Sequence, residues 1–170
     1  INISDSWGAK FRVAENWQKI TYGEVKSDFQ IVVEKTDFKG SHFRLETARG
    51  SFDGFLPVPG KHNVYNATAA VAVGWFAGRS IKSSLESLAS FAGVPGRLQP
   101  IKNSKDIHVL VDYAHTDDAL KTVLSALDSI RKSNPKMKKR RIITVFGCGG
   151  DRDKGKRPLM ARAAIDGSDF

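Results

Sequence analysis

The sequence contains a single cysteine, Cys148, and no apolar run that approaches the length of a membrane-spanning helix. One cysteine cannot form an internal disulfide, so a disulfide-stapled fold is excluded and the reducing cytoplasm is the compartment we expect. The composition is 41% hydrophobic and 26% charged, close to globular averages, which excludes wholesale disorder. The 170 residues therefore predict one ordinary globular domain or two small ones, with no membrane span.

The positive net charge of +9 is concentrated in residues 131–141, which contain many Lys and Arg and no acid. A solvated loop between a helix and a strand is the favoured interpretation, and attraction of an anionic substrate is the alternative. Aromatic residues for base stacking are absent from this stretch, so we expect no nucleic-acid partner.

The first half of the sequence predicts antiparallel strands followed by two helices. Three β-rich runs separated by turn residues predict a hairpin and a third strand, over 29–35, 42–47 and 51–58. An Ala-rich segment from about His62 to Gly78 predicts a buried helix, and apolar spacing predicts another over 81–91. Glycine and proline at 93–96 then predict a hinge or domain boundary.

The second half predicts alternating strands and helices. Residues 107–111 form an apolar run typical of a strand buried in a parallel sheet. Thr116 is a candidate N-cap for an amphipathic helix that extends to about Ile130. A second strand over 141–146 and a helix from Pro158 complete a β-α-β-α order, which predicts a parallel unit.

The glycine-rich loop at 147–157 imitates two phosphate-binding motifs without matching either. The third glycine of a dinucleotide fingerprint is replaced by Arg152, and the Ser or Thr that ends a P-loop is replaced by Arg157. An arginine in such a loop can clamp a carboxylate, but its charges can also pair among themselves. Asp112 and His115, which follow the first predicted strand, could contact a nucleotide or serve only as turn and capping residues.

Several stretches, in the same order along the chain, resemble the Mur ligase family, and within it the MurE type. They are NISDSWG at 2–8, PGKHNVYNA at 59–67, VPGRL at 94–98, VDYAHT at 111–116 and FGCGGDRDKGKRPLM at 146–160. The last is highly specific for the MurE type, whereas the asparagine and Pro-Gly-Arg segments are shared across the family. Ser4 and Asp117 depart from it, since these positions commonly hold Asp and Pro.

The resemblance implies an α/β fold in two parts and an internal piece of a longer enzyme. Residues 1–95 would be the end of a central ATP-binding domain with antiparallel strands and helices. Residues 96–170 would be the start of a Rossmann-like C-terminal domain. The P-loop, the carbamylated lysine and most ligands of Mg²⁺ would lie outside this chain, so the piece alone should be inactive and contain no catalytic residue.

The implied activity is ATP-dependent amide formation in peptidoglycan synthesis. Such enzymes join diaminopimelate or lysine to the D-Glu of UDP-MurNAc-L-Ala-D-Glu through an acyl phosphate, so ATP, the UDP-MurNAc-dipeptide and the diamino acid would be the small-molecule partners. Folylpolyglutamate synthetase or another Mur ligase is an alternative, and a non-catalytic nucleotide-binding module is an alternative of another class.

The resemblance also assigns roles to six residues of this chain. Five would bind ATP: Asn63 and Asn66 near the base, Arg97 at the phosphates, Asp112 at the ribose, and His115 beside it. The sixth, Arg152, would hold a carboxylate of the incoming amino acid. These roles suit the amide, guanidinium and carboxylate groups concerned.

Overall fold

A computed structural model describes residues 1–149 and 153–170. The chain divides into two compact units, Ile1–Gly93 and Val94–Phe170. The helices and strands follow in the order α1 (Ser6–Lys10), β1 (Tyr22–Gly23), β2 (Phe29–Asp37), β3 (Gly40–Thr47), β4 (Gly50–Leu56), α2 (Lys61–Phe76), α3 (Ile81–Ala89), β5 (Gln99–Ile101), β6 (Val109–Val111), α4 (Asp117–Ser133) and α5 (Lys156–Gly167). The predicted mixed α/β class is confirmed. In the described ranges, no helix combines the length and apolarity needed to cross a bilayer.

The first unit is built on a four-stranded sheet in the order β1-β2-β3-β4. The predicted hairpin and third strand are confirmed, since β3 pairs antiparallel with both β2 and β4, and β1 adds a short parallel edge. Alternate residues of the hairpin strands point into the core, which buries Phe29, Ile31, Phe43 and Leu45 almost completely. The sheet therefore has one apolar face for the helices to cover.

The predicted Ala-rich helix is confirmed as α2, which packs on this face. Val64, Ala67 and Val71 lie in the same core cluster as the strand residues. Small alanines allow the helix to approach the sheet closely. The buried face of α2 thereby fixes which of its residues face away from the sheet.

Gly78 ends α2 in a backbone conformation that favours glycine, with φ +86°. The amide of Gly78 donates to the carbonyl of Trp75 at 2.9 Å, and the amide of Arg79 donates to the carbonyl of Gly74 at 2.9 Å. This pair of bonds is a Schellman motif, which sets the direction in which the chain leaves the helix. Ser80 then caps α3 by accepting the amide of Ser83 at 3.0 Å.

The second unit differs from the parallel arrangement that we predicted from its sequence. The first predicted strand is shorter, and β6 pairs antiparallel with β5. Its apolar side chains are also not buried on both faces, because Val109 and Val111 are 38% and 45% exposed. The prediction of a doubly buried parallel strand at 107–111 is wrong.

The segment 141–146 is not a regular strand, so the second predicted strand is also wrong. A parallel pair would require ladder bonds with β6, and the described residues contain none. Backbone groups of 142–144 instead meet the end of the chain: Asp169 N donates to Ile142 O and Thr144 N donates to Phe170 O, both at 2.8 Å. The backbone partner of this apolar segment is therefore the short segment after α5.

Helices α4 and α5 form the small core of the second unit. The predicted Thr116 cap is confirmed, since its hydroxyl accepts the amide of Ala119 at 3.2 Å. Five buried residues make up this core: Leu120, Leu124, Met160, Ala163 and Ala164. Gly167 lies so close to α4 that an added Cβ would meet two Leu124 atoms at 2.8 Å.

The basic stretch 131–141 is only partly the solvated loop that we predicted. Arg131 belongs to the last turn of α4, where it bonds Asp128 and Asp169, each at 2.6 Å. Arg140 forms an ion pair with Asp106. Part of the charge is therefore used to connect segments of the unit.

Candidate functional site

Arg97, Asp112 and His115, which the sequence analysis singled out separately, lie together in the second unit. The turn around Arg97 is tied to the segment after β6 by two bonds. Tyr113 N donates to Gly96 O at 2.7 Å, and Leu98 N donates to Asp112 Oδ2 at 2.8 Å. Residues fourteen or more positions apart along the chain thus form one local surface.

Asp112 is the centre of this surface. One carboxylate oxygen accepts the amide of Leu98, and the other accepts the amide of Ala114, each at 2.8 Å. The side chain is half-buried and held from both sides, so its orientation is fixed. Because each carboxylate oxygen has a second lone pair, Asp112 can accept one more hydrogen bond at each oxygen.

Three side chains form a row beside Asp112. The Arg97 guanidinium lies 5.5 Å from the centre of the Tyr113 ring, and that ring meets the His115 ring edge-on at 5.1 Å. His115 Nδ1 lies 3.0 Å from the carbonyl oxygen of Tyr113, which orients the imidazole. Tyr113, which the sequence analysis passed over, is therefore the platform that joins the arginine to the histidine.

The turn beside the row contains an unusual backbone conformation at a buried residue. Leu98 has φ +43° and is 1% exposed. A leucine in this region is strained, so packing of its side chain and the bond from its amide to Asp112 must offset the cost. The strained residue directly follows Arg97, so the backbone conformation of this turn sets the position of the Arg97 side chain.

Asn63 and Asn66, the other predicted pair, lie in the first turns of α2 in the first unit. Three positions apart, they share one face of the helix. Asn63 is half-buried and donates from Nδ2 to the carbonyl of Pro59 at 2.8 Å. Asn66 is exposed, and its side chain bonds no other residue in the described ranges. Asn63 thus secures the helix start, whereas Asn66 is free to meet a ligand.

The start of α2 is also held by a group of residues that sequence reasoning missed. Lys61 Nζ lies 2.6 Å from Glu24 Oε2, and the hydrogen bond to Glu24 raises the pKa of Lys61. The amide of Glu24 donates to Ser4 Oγ at 2.7 Å. Burial raises the pKa of Tyr65, one turn after Lys61, while a hydrogen bond with Ser4 acts against this rise. No local pattern could reveal contacts between segments so far apart in sequence.

Arg152, the predicted contact for the incoming amino acid, lies outside the described residues. The neighbouring Cys148 is half-buried, and its thiol lies 3.5 Å from Met160 Sδ. No group of three or more His, Cys, Asp or Glu side chains in residues 1–149 and 153–170 could hold a metal ion. The described residues therefore do not themselves fit a magnesium site.

Comparison with protein-family models matches both units. Residues 1–74 match the Mur ligase middle domain, and residues 96–168 match the glutamate ligase domain of Mur ligases. The two matches follow one another in the order that the sequence predicted.

Among curated proteins, the chain is 39% identical over 171 residues to the UDP-N-acetylmuramoyl-L-alanyl-D-glutamate--2,6-diaminopimelate ligase of Solibacter usitatus. It is 41% identical over 176 residues to the ligase of the same name from Clostridioides difficile. Each alignment covers 100% of this chain, but only 33% and 34% of the two relatives. The chain thus spans about a third of the length of the curated relatives it matches.

A solved structure of a ligase of this name resembles the chain with a TM-score of 0.61 and 37% identity. The superposition covers 88% of this chain and 29% of that one. The structural relative therefore has the same name as the two curated relatives.

Proposed function

Because the chain belongs to the Mur ligase family, with a middle domain followed by a glutamate ligase domain, we propose that it is part of an ATP-dependent amide ligase. The proposed reaction joins diaminopimelate, or lysine, to the D-Glu of UDP-MurNAc-L-Ala-D-Glu in peptidoglycan synthesis. The observation that carries the proposal is the group formed by Arg97, Asp112 and His115 around Tyr113 in the second unit.

The chemistry proceeds in two steps. The γ-phosphoryl group of ATP is transferred to the side-chain carboxylate of D-Glu, which gives ADP and an acyl phosphate. The amine of the diamino acid then attacks the acyl carbon, the new amide loses a proton, and inorganic phosphate leaves. Positioning and neutralisation of phosphate charge account for most of the catalysis in such transfers.

Arg97 is suited to the phosphates of ATP. Its guanidinium lies over the Tyr113 ring and forms no hydrogen bond or ion pair with a described residue, so its N–H donors remain available. Those donors match a pair of phosphate oxygens. In this role Tyr113 reduces the freedom of Arg97 before the ligand arrives, which lowers the entropy lost on binding.

Asp112 and His115 are suited to the ribose and its surroundings. The free lone pairs of Asp112 can accept two hydroxyl protons of a sugar, while its bonds to Leu98 and Ala114 keep the carboxylate in place. His115, whose ring is oriented by the Tyr113 carbonyl, can contact the nucleotide beside it.

Asn66 is the better candidate of the α2 pair for direct contact with the base. Its amide offers both donors and an acceptor, which is what recognition of a base edge requires. Asn63 would support this contact by fixing the first turn through Pro59. We assign Arg152 to a carboxylate of the incoming amino acid, on the resemblance alone.

We also propose that this ligase uses Mg²⁺ with ATP and acts in the cytoplasm, and that 1–95 is the end of its central ATP-binding domain and 96–170 the start of its Rossmann-like C-terminal domain. Bound Mg²⁺ would offset phosphate charge. Its ligands would come from residues other than the described ones, which provide no cluster for a metal. The single cysteine supports the reducing compartment.

The test uses the full-length gene product and follows ADP release with UDP-MurNAc-L-Ala-D-Glu and either diaminopimelate or lysine. We expect release that requires both the muramoyl dipeptide and one of the diamino acids. Arg97→Ala should lower kcat/KM for ATP by about ten-fold or more, because a phosphate contact is lost. Arg162→Ala, an exposed arginine of α5 paired with Asp166, is the matched control and should leave kcat/KM nearly unchanged.

Two outcomes would reject the proposal in favour of the alternatives. ADP release with a folate and glutamate, but not with the muramoyl dipeptide, would indicate folylpolyglutamate synthetase. Nucleotide binding without any turnover of these substrates would indicate a non-catalytic module. For Arg152→Ala, an equal rise in KM for ATP and for the amino acid would reject its assigned role, since we expect a far larger rise for the amino acid than for ATP.

A further inference from the structure

A groove of about 600 Å³ lies at the far end of α2 in the first unit. Its wall includes three cationic side chains, Arg49, Arg79 and Lys82, together with the aromatic side chain of Trp75, and none of the lining residues that the structure describes is acidic. At ~1.5 Å per residue along the helix, Trp75 lies about 18 Å from Asn63. None of the roles proposed above uses this end of the helix.

The three cations come from three different elements and are held near one another by backbone geometry. Arg49 lies in the turn between β3 and β4, where its amide donates to Thr47 Oγ1 at 3.1 Å. Arg79 is placed by the Schellman motif after α2. Lys82 is in the first turn of α3, next to the capping residue Ser80.

These cations have no carboxylate partner among the described residues. Arg49 lies 5.6 Å from the centre of the Trp75 ring, a contact that leaves its N–H groups available. Arg79 and Lys82 take part in no ion pair in the described ranges. Three like charges that converge without a counter-ion raise the local potential and attract an anion.

Four carboxylates border adjoining grooves: Asp28 and Glu46 border one that shares Arg49 and Trp75, and Asp53 and Glu86 border one that shares Lys82. None of the four is among the described lining residues of the Trp75 groove, and none forms an ion pair with its cations in the described ranges. Asp28 accepts the Thr21 amide and hydroxyl at 2.7 and 2.6 Å. Glu46 accepts Arg44 Nε at 2.8 Å and the Ser51 hydroxyl at 3.1 Å.

The groove has further features that favour a phosphate with an aromatic or apolar substituent. Trp75 is anchored in the core by an edge contact with Phe29 at 5.7 Å, which leaves the indole half-exposed as a rigid platform. Ser80 and Ile81 place the positive end of the α3 dipole at the groove wall. Arginines suit phosphate oxygens, and three positive charges suit a dianion better than a monoanion.

We propose that this groove, defined by Arg49, Trp75, Arg79 and Lys82, binds a small phosphorylated molecule with an aromatic or apolar portion. The phosphate lies against Arg79, Lys82 and the start of α3. The apolar portion lies against Trp75.

The test follows the indole N–H signals of the 170-residue chain by NMR during titration with phenyl phosphate, inorganic phosphate and phenol. We expect the Trp75 signal to move with saturation at a Kd of about 1 mM or below for phenyl phosphate. Inorganic phosphate should bind about ten-fold more weakly, and phenol should leave the signal unchanged. Trp7, which does not line the groove, provides the internal reference.

Arg79→Glu should weaken phenyl phosphate binding about ten-fold or more, because it replaces an attraction with a repulsion. Arg12→Glu makes the same change of charge at an exposed residue outside the groove, and it should alter the Kd by less than about two-fold. Lys82→Gln should give an intermediate loss. Far-ultraviolet circular dichroism checks that each variant is folded.

Absence of a saturable Trp75 shift with phenyl phosphate would overturn the proposal, as would equal weakening by Arg79→Glu and Arg12→Glu. A shift with a glutamate-rich peptide but not with phenyl phosphate would also overturn it, in favour of an acidic protein partner. None of these outcomes depends on the ligase assay, so the groove and the proposed function can fail separately.

Discussion

The two units of the chain bury apolar surface by different means. In Ile1–Gly93, one continuous cluster of twelve buried residues joins the sheet to α2 and α3, whereas the α4–α5 cluster in Val94–Phe170 has five. The second unit instead exposes apolar residues that lie outside its helices and strands: Ile143 is 63% exposed and Val145 is 94% exposed. An antiparallel hairpin can complete its own sheet, but a short two-stranded ladder cannot cover apolar residues that lie outside it. The first unit should therefore depend on core packing, and the second on helix contacts and ion pairs.

The largest effect should come from the core of the first unit. Phe43→Ala removes a ring that is 1% exposed and should lower the free energy of unfolding by about 3–5 kcal/mol. Urea unfolding followed by circular dichroism measures the change. Phe11→Ala is the control, because Phe11 is 58% exposed and its loss should cost less than about 0.5 kcal/mol. Similar losses in both variants would contradict the importance of this core.

In the second unit, stability should be most sensitive to a substitution where α4 and α5 approach each other closely. Gly167→Ala forces a Cβ to 2.8 Å from Leu124 atoms and should cost about 1–3 kcal/mol of unfolding free energy. Gly155→Ala, at the other end of α5, is the matched control. Among the described residues, its Cβ would meet no atom closer than Asp153 Oδ1 at 3.4 Å, so the substitution should be neutral or slightly stabilising. Thermal unfolding distinguishes them, and a harmless Gly167→Ala would show that α4 and α5 are not tightly packed.

The two asparagines of α2 should separate stability from ligand binding. Asn63→Ala removes the bond to Pro59 and should cost about 0.5–1.5 kcal/mol, measured by urea unfolding. Asn66→Ala is exposed and should change stability by less than about 0.5 kcal/mol. In the full-length protein, Asn66→Ala should nevertheless raise KM for ATP. A large loss of stability in Asn66→Ala would contradict the division of roles.

The smallest effect that we expect is a dependence on pH in the second unit. The hydrogen bond from the Ile142 amide, followed by the charge of Arg131, lowers the pKa of Asp169. A lowered pKa stabilises the fold above the unfolded value near 4, and this contribution is lost as pH falls through the folded value. Asp169→Asn should therefore destabilise the chain at about pH 6 but much less at about pH 3.

The matched control for this pH effect is Asp53→Asn, an exposed aspartate of β4 whose side chain bonds no described residue. Its effect on stability should not follow the Asp169 profile. Thermal unfolding across the acidic range makes the comparison. A constant effect of Asp169→Asn at every pH would show that the charge of Asp169 is unimportant.

Local patterns predicted the elements well but their partners poorly. Turn residues at 37–40 and 49–51 predicted the antiparallel strands, and Thr116 predicted the start of α4, because capping and turn formation depend on neighbours in sequence. The run at 107–111 predicted a strand but the wrong pairing, since a short apolar run does not specify which strand will bond to it.

Much the same holds for the candidate site. Arg97, Asp112 and His115 could be selected by residue type and resemblance, and the structure brings these three together. The role of Tyr113 and the strained backbone at Leu98 could not be predicted from the sequence. A ring contact and a positive φ depend on the three-dimensional arrangement of two segments. The Glu24–Lys61 ion pair likewise could not be predicted from a local sequence pattern, because its two residues are far apart in the sequence.

Asp112 connects two stretches of backbone through opposite oxygens of one carboxylate, one at Leu98 and one at Ala114. A ligand that draws electron density from this carboxylate weakens both bonds together. The amide protons of Leu98 and Ala114 thus become paired reporters of occupancy, and their hydrogen-exchange rates should change in concert when a sugar hydroxyl binds between them.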